Sequence, residues 1–370
     1  MKNNPIIYQV FVRNYSKEGT FKALQKDLER IKNLGVDIIY LTPIHKIGVL
    51  NRKGTYGSPY AIQDYFSISE DLGTIQDFKD LVNDIHSHGI KIILDMVFNH
   101  TSPDNVLINT HPEYYFYKNG KRGNKVGDWT DIVDLETDRD DVQEYLLSVL
   151  KYWVSQGVDG FRFDVASLIP ISFFKKLRNY FGKDLFLLAE CIDHRFGDYL
   201  DSVNQKHCSD KELAPYFDYL YAYDHYHYII DYFEGKDTLG TLADLINQDA
   251  KDNIKRAYFL ENHDKRRIFN LVNDKESINE LIKLTFDLDG ATFIFMGEEY
   301  GLTKDVPLFE KDPIDLSIKN DEIASLYEHE LKNKNHLITS QFISFDGDLV
   351  LNTNIDGKLI NKRYKLKPNT

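Results

Sequence analysis

A chain of 370 residues, 42% hydrophobic and 13% aromatic, can bury one large core, so a single barrel-type domain with an appendage suits it as well as two ordinary domains. Its 45 Lys and Arg stand against 58 Asp and Glu, and the net charge of -13 argues against nucleic acid and anionic membranes as partners. No stretch approaches the roughly 18 apolar residues of a membrane helix, the start lacks a secretory signal's apolar core, and Cys191 and Cys208 are too few for a disulfide framework, so a cytoplasmic protein with two free thiols is expected.

Short apolar runs alternate with amphipathic stretches. "IIYQVFV" (6–12) predicts a first strand, and "FKALQKDLERIKNLG" a helix after it, with apolar residues three and four apart and Gly where the helix would end. "DIIYLTP" (37–43) predicts the second strand, followed by a long insert at 45–68. The helical "IQDFKDLVNDIHSHG" leads to "IKIILDMVF" (90–98), the third. Residues 101–136, rich in Asn, Gly, Asp and aromatics and without a clean period, predict a small excursion domain; long loops on that side of a barrel shape a substrate cleft. "DVQEYLLSVLKYWVSQG" restores the helical period, and further strands follow at "VDGFRFDV" (158–165), "LFLLAE" (185–190), "YFDYLYAY" (216–223), "AYFLENHD" (257–264) and "ATFIFMGEE" (291–299). Eight strand-helix repeats predict an α/β fold, a (β/α)8 barrel made of residues 1–100 and 137–334. From 335 to 370 the period changes to two, with an Asp356-Gly357 turn signal, which predicts a short all-β tail.

Asp95, Asp164, Glu190 and Asp264 each sit at or near the end of a strand run, and a barrel rings its strand C-termini around the face that carries an active site. "FLENHD" (259–264) thus places His263 and Asp264 where the seventh strand emerges into a cleft. Arg162 and Asp164, two apart on the fourth strand, face the same side; a nearby guanidinium lowers a carboxylate's pKa by about 1 to 3 units and keeps Asp164 ionised, as a nucleophile must be. The apolar "LFLLA" before Glu190 disfavours the charged form and suits a general acid. "DMVFNH" adds His100, which as a neutral ring can donate to a substrate hydroxyl, and Asn99, whose carbonyl oxygen suits a hard cation. Tyr223 falls where the sixth strand should end, as lining for a sugar subsite. Alone, each feature has a plainer reading: a structural ion pair, a surface glutamate, a helix N-cap, a satisfied histidine. Together in register they favour glycosidic bond cleavage.

"DMVFNH", "GFRFDVA", "LLAE" and "FLENHD" resemble, in order and at suitable spacings, four conserved stretches of the α-amylase family of glycoside hydrolases and transglycosylases. "GVDIIYLTPI", "GSPYAIQDY" and "FIFMGEEYG" are similar to further signatures of it, and the resemblance covers roughly residues 5–330. Residue by residue it implies Asp164 as nucleophile, Glu190 as acid/base and Asp264 as a third carboxylate that binds sugar hydroxyls near the transition state. It also implies that Arg162 positions Asp164, that His100 and His263 hold hydroxyls of the sugar being cleaved, and that Tyr60 stacks on that ring, with Asp64 of "SPYAIQD" among the substrate-binding candidates.

In many members the fourth-strand motif continues into Lys-His, which contacts the leaving sugar and helps bind calcium; here Ser167 and Leu168 stand in those places. Asn99 and Asp131 remain as candidate ligands of a structural Ca2+, and no cofactor is required. The expectation is a retaining α-glycosidase acting on α-linked gluco-oligosaccharides through a covalent glycosyl-aspartate, its carboxyls about 5 to 5.5 Å apart. An α-glucan transferase using the same residues is the alternative, a non-catalytic sugar-binding barrel a more remote one. The oligomeric state is open.

Overall fold

Buried apolar strands organise the chain, and in this computed structural model, which describes residues 3–127, 129–334 and 337–369, eight of them close into a parallel barrel. They are β1 Ile6–Val10, β2 Ile38–Leu41, β3 Lys91–Met96, β4 Gly160–Phe163, β5 Phe186–Ala189, β6 Tyr219–Tyr221, β7 Arg256–Tyr258 and β8 Gly290–Phe295. Each pairs with its neighbours in sequence order, and β1 closes on β8 with Ile6 opposite Thr292. Strands covered on both faces read as continuous apolar runs, and every residue of β1 and of β8 is buried. Alternate side chains fill the barrel, Ile7, Tyr40, Ile93, Leu188, Tyr221, Ala257 and Phe293 among them, while Ile39, Leu94 and Phe161 face the outer helices. Gly160 opens β4 because a Cβ there would meet the Phe186 carbonyl oxygen of β5 at 2.2 Å.

The helix Ile75–Ser87 starts at a capping box between Thr74 and Asp77 and buries Phe78, Leu81, Val82 and Ile85, one face at helical spacing. The single helix predicted at 21–35 is instead two, Phe21–Gln25 and Leu28–Asn33. Asp27 interrupts it: its carboxylate accepts from Tyr15 and from Arg30 Nε, which holds that residue out of helical geometry.

The strands are shorter than the apolar runs suggest. β7 ends at Tyr258, so Phe259–Asp264 is an irregular stretch that carries His263 and Asp264 onward, not strand as expected. β6 ends at Tyr221, and Tyr223 opens the helix Tyr223–Phe233. The insert after β2 folds as an antiparallel ribbon of His45–Ile47 with Ile62–Ile68. After β3, His100–Thr101 pairs with Val133–Asp134, and a small hairpin, Tyr117–Lys118 with Lys121–Arg122, lies between them. Beyond the helix Asp321–Asn333 comes an antiparallel sheet of β9 Ile338–Phe345, β10 Leu349–Ile355 and β11 Lys358–Tyr364. Among the described residues no helix is long and apolar enough to cross a membrane.

Candidate active site

Three acids leave the barrel at consecutive strand ends: Asp95 within β3, Asp164 directly after β4 and Glu190 directly after β5. Arg162, fully buried in β4, joins them. Its Nη1 lies 2.7 Å from Asp95 Oδ1 and 3.1 Å from Asp164 Oδ1, and its Nη2 lies 2.9 Å from Glu190 Oε2. Asp95 is closed off from solvent, its Oδ2 accepting from Tyr40 at 2.5 Å and Tyr60 at 2.9 Å. Val165 follows Asp164 in the left-handed region at φ 37°, a conformation costly for a β-branched residue. That turn aims its N–H at Glu190 Oε2, 2.7 Å away, while Tyr223 donates to Oε1 at 3.0 Å.

Asp264 completes the group. Its side chain is 40% exposed against 11% for Asp164 and 9% for Glu190, so it is the carboxylate most open to the cavity. His263 Nε2 lies 3.0 Å from Asp264 Oδ2 and 2.5 Å from Tyr60 Oη. The tautomer follows from Gln9: its Oε1 accepts from the His263 backbone N–H, so its amide nitrogen faces His263 Nδ1 at 2.8 Å and the ring proton resides on Nε2. The rings of Tyr60 and His263 stack with an interplanar angle of 13°.

These groups form the floor of a cavity of about 610 Å³, well inside the usual range for small-molecule sites. Ser58, Tyr60, Asn99, His100, Asp164, Glu190, Tyr223 and Asp264 line it; Trp129 and Asp131 of the excursion, Lys53 of the second-strand insert and Phe309 after β8 form a rim. Arg162 and His263 stand behind that lining: they hold its carboxylates from beneath, and Arg162 has no exposed surface with which to meet a sugar. Asp64 is a correction. It sits on the ribbon away from the cavity, and its carboxylate accepts from the Phe66 N–H and the Ser67 hydroxyl of its own turn.

Burial pushes the Asp164 carboxyl well up from the ordinary aspartate value, the facing charge of Glu190 adds to this, and Arg162 opposes both. Arg162 does pull Asp164 down as expected, but burial first and then the charge of Glu190 outweigh it. Asp264 moves the other way, to about 2: burial alone would raise it, but His263, and then Arg162 and Lys265, draw it down. Burial lowers His100 to about 4, so its ring is neutral near pH 7.

Asn99 and Asp131 are the two calcium candidates. Both line the cavity, but Asp131 Oδ1 is paired with Lys53 Nζ at 2.7 Å, and the Asn99 amide nitrogen lies 3.3 Å from His100 Nδ1. Among the described residues no group of three or more His, Cys, Asp or Glu is placed to hold a metal. Several residues of the site escape a reading of the sequence: Gln9, Tyr40, Lys53, Phe309 and Lys265. A polar signal existed for Gln9, the one amide inside "IIYQVFV", and for Lys265, which directly follows "NHD".

Known proteins are similar to this chain. The family description "Alpha amylase, catalytic domain" matches residues 9–131 and 125–341. The crystal structure of an α-amylase from Lactobacillus plantarum superposes with a TM-score of 0.92 at 36% identity, over 98% of this chain and 89% of that one. That of the maltogenic α-amylase AmyB from Thermotoga neapolitana gives 0.86 at 32% identity, over 98% and 86%. "Probable oligo-1,6-glucosidase 3" of Bacillus subtilis strain 168 is 26% identical over 372 residues, covering 80% of this chain but 65% of that protein, so the chain spans less than two thirds of the relative's length. From the closed barrel, the match over most of the sequence and the close superposition, the chain belongs to the α-amylase family of glycoside hydrolases.

Proposed function

We propose that the protein is a retaining α-glycosidase that cleaves α-glucosidic bonds of short gluco-oligosaccharides through a glycosyl-aspartate. One observation carries this reading: a single guanidinium, that of Arg162, holds both Asp164 and Glu190 at the floor of a sugar-sized cavity. Two carboxyls on one guanidinium suit the short spacing of about 5 to 5.5 Å used for retention better than the ~6.5 to 9.5 Å that leaves room for an inverting water. Asp164 attacks the anomeric carbon while Glu190 gives its proton to the leaving oxygen. Val165 N–H and Arg162 occupy Oε2, which leaves the proton to Oε1, beside Tyr223. Water then attacks the covalent intermediate, with Glu190 as base. Tyr60, His100 and Asp264 hold the sugar being cleaved, Asp264 fixed by the His263 ring, whose tautomer Gln9 sets. The two free thiols suit a cytoplasmic setting.

The test is incubation with maltotriose, maltotetraose, isomaltose and panose, with the anomer of each fresh product followed by NMR. Hydrolysis releasing the α-anomer is expected, and Asp164→Asn should abolish it, at a loss of roughly 10³-fold or more in kcat for a missing nucleophile. Release of the β-anomer would overturn retention. Oligomers longer than the substrate as the main product would reassign the protein to transfer.

A further inference from the structure

Among the described residues two lysines line the cavity, and one of them is paired with a carboxylate. Lys53 is paired with Asp131 at the rim. Lys265 has no ion-pair partner within 4 Å among the described residues, although it is half-buried on the cavity wall directly after Asp264. Its ammonium lies over two aromatic faces, 4.8 Å from the Tyr223 ring centre and 5.4 Å from that of Tyr226. Such a seat fixes the position of the cation while leaving its N–H donors unspent. The seat also gives its side of the bond. The Tyr223 ring beneath it carries the hydroxyl that bonds Glu190 Oε1, and the acid lies on the side of the leaving group by definition of its task. Ile192 and Asp193 of the loop after Glu190, and Phe196 of the helix His194–Ser202 that follows it, line the same cavity. Ser167 and Leu168 offer no charged donor to that sugar.

We propose that Lys265 is the residue that grips the leaving sugar, donating from its ammonium to one or two hydroxyls of the unit released in the first step. The same contact receives an acceptor sugar in the second step, so Lys265 sets how much of the glycosyl-enzyme goes to transfer when sugar is abundant. Burial lowers the ammonium's pKa while Asp264, Asp193 and Glu190 oppose this, the balance of a charge held ready for polar contacts.

The proposal rests on the glycosidase reading, and the test separates the two. α-Glucosyl fluoride has the same sugar on the cleaved side but no leaving sugar, so kcat/KM is compared for it and for maltotriose in wild type, Lys265→Met and Lys265→Gln. The ratio of maltotriose to fluoride should fall by about 10- to 100-fold in Lys265→Met, the usual cost of losing a hydrogen bond from a charged group, with the transfer products of concentrated maltotriose falling in parallel. Lys265→Gln, which keeps a neutral donor, should lie between. Equal losses on both substrates would overturn the proposal and assign Lys265 to tuning the carboxylates; an unchanged ratio would overturn it as well. A wild type inert toward both substrates would refute the glycosidase reading, and the role of Lys265 would fall with it.

Discussion

Asp95 never meets the cavity, yet the acids that do depend on it. Its carboxylate takes Arg162 on one oxygen and two tyrosine hydroxyls on the other, so the guanidinium is half neutralised before Asp164 and Glu190 share the remainder. Asp95 is one of the charges that raise Asp164, and Arg162 is the one that opposes them. Opposite shifts follow. Asp164 must be ionised to attack, so activity is lost as pH falls through its pKa. Asp95→Asn removes a raising charge and should move the acid limb of kcat/KM to lower pH; Arg162→Met removes the lowering one and should move it up. Arg162→Met leaves buried carboxylates without their cation and should lose about 3 to 5 kcal/mol of stability, whereas Asp95→Asn leaves Arg162 paired with Asp164 and Glu190 and should lose less, so profiles are taken below the melting range. Limbs that move together, or stay fixed, would count against this electrostatic ordering. Arg162 and Asp164 were legible in the sequence because a strand's period of two is local. The link from Gln9 to His263 spans 254 positions, and only the closed barrel brings them together.

At the scale of elements, apolar runs bounded by turn residues gave away all eight barrel strands, since a parallel strand buried on both faces leaves an unbroken hydrophobic stretch. Lengths were not legible: pairing with two neighbours ends a strand, and the run of apolar letters continues into the loops, as in Phe259 and Leu260. The C-terminal sheet shows how an element without a barrel partner is secured. On the helix Leu239–Asp252, the Asn247 side chain donates to the Ile343 carbonyl oxygen at 2.6 Å and accepts from its N–H at 3.0 Å, matching both backbone groups of one β9 residue. Ile343 is buried against that helix, and Leu351 of β10 lies opposite it. Asn247→Ala leaves a donor and an acceptor unmet where water has poor access, so urea denaturation should show a loss of about 1 to 3 kcal/mol. Because the sheet lies outside the cavity, kcat on maltotriose should stay within about 2-fold, the scatter of surface substitutions. A stability equal to wild type would mean that the Asn247 clasp contributes nothing to holding the sheet, leaving that to apolar packing and to the bonds from Gln341 and Tyr364 to Asp287.

On the scale of the whole molecule, the insert after β2 and two outer helices meet around one side chain, whose burial bears on how the fold responds to acid. His45 begins the ribbon, is fully buried, and lies edge-on to Trp153 at 5.3 Å and to Tyr65 at 6.1 Å; neither ring nitrogen has a hydrogen-bond partner among the described residues. Trp153 belongs to the helix Asp140–Ser155 and also packs on Phe78 of the helix Ile75–Ser87, so three elements converge there. Burial lowers the His45 pKa from 6.5 to about 3, with the charge of Asp64 opposing it. The unfolded chain binds a proton below pH 6.5 and the folded one does not, so stability from this ring is complete above about pH 6.5 and drains at about 1.4 kcal/mol per pH unit down to its folded pKa. His45→Phe keeps an aromatic edge against Trp153 and cannot titrate. Its fixed packing cost is the same at every pH, so the difference in unfolding free energy between wild type and variant should shift by roughly 2 kcal/mol in favour of the variant between pH 6.5 and pH 4.5, read from urea melts at half-unit steps. A difference that stays flat over that window would show that His45 accepts a proton without unfolding, and that the acid limit of the fold is set elsewhere.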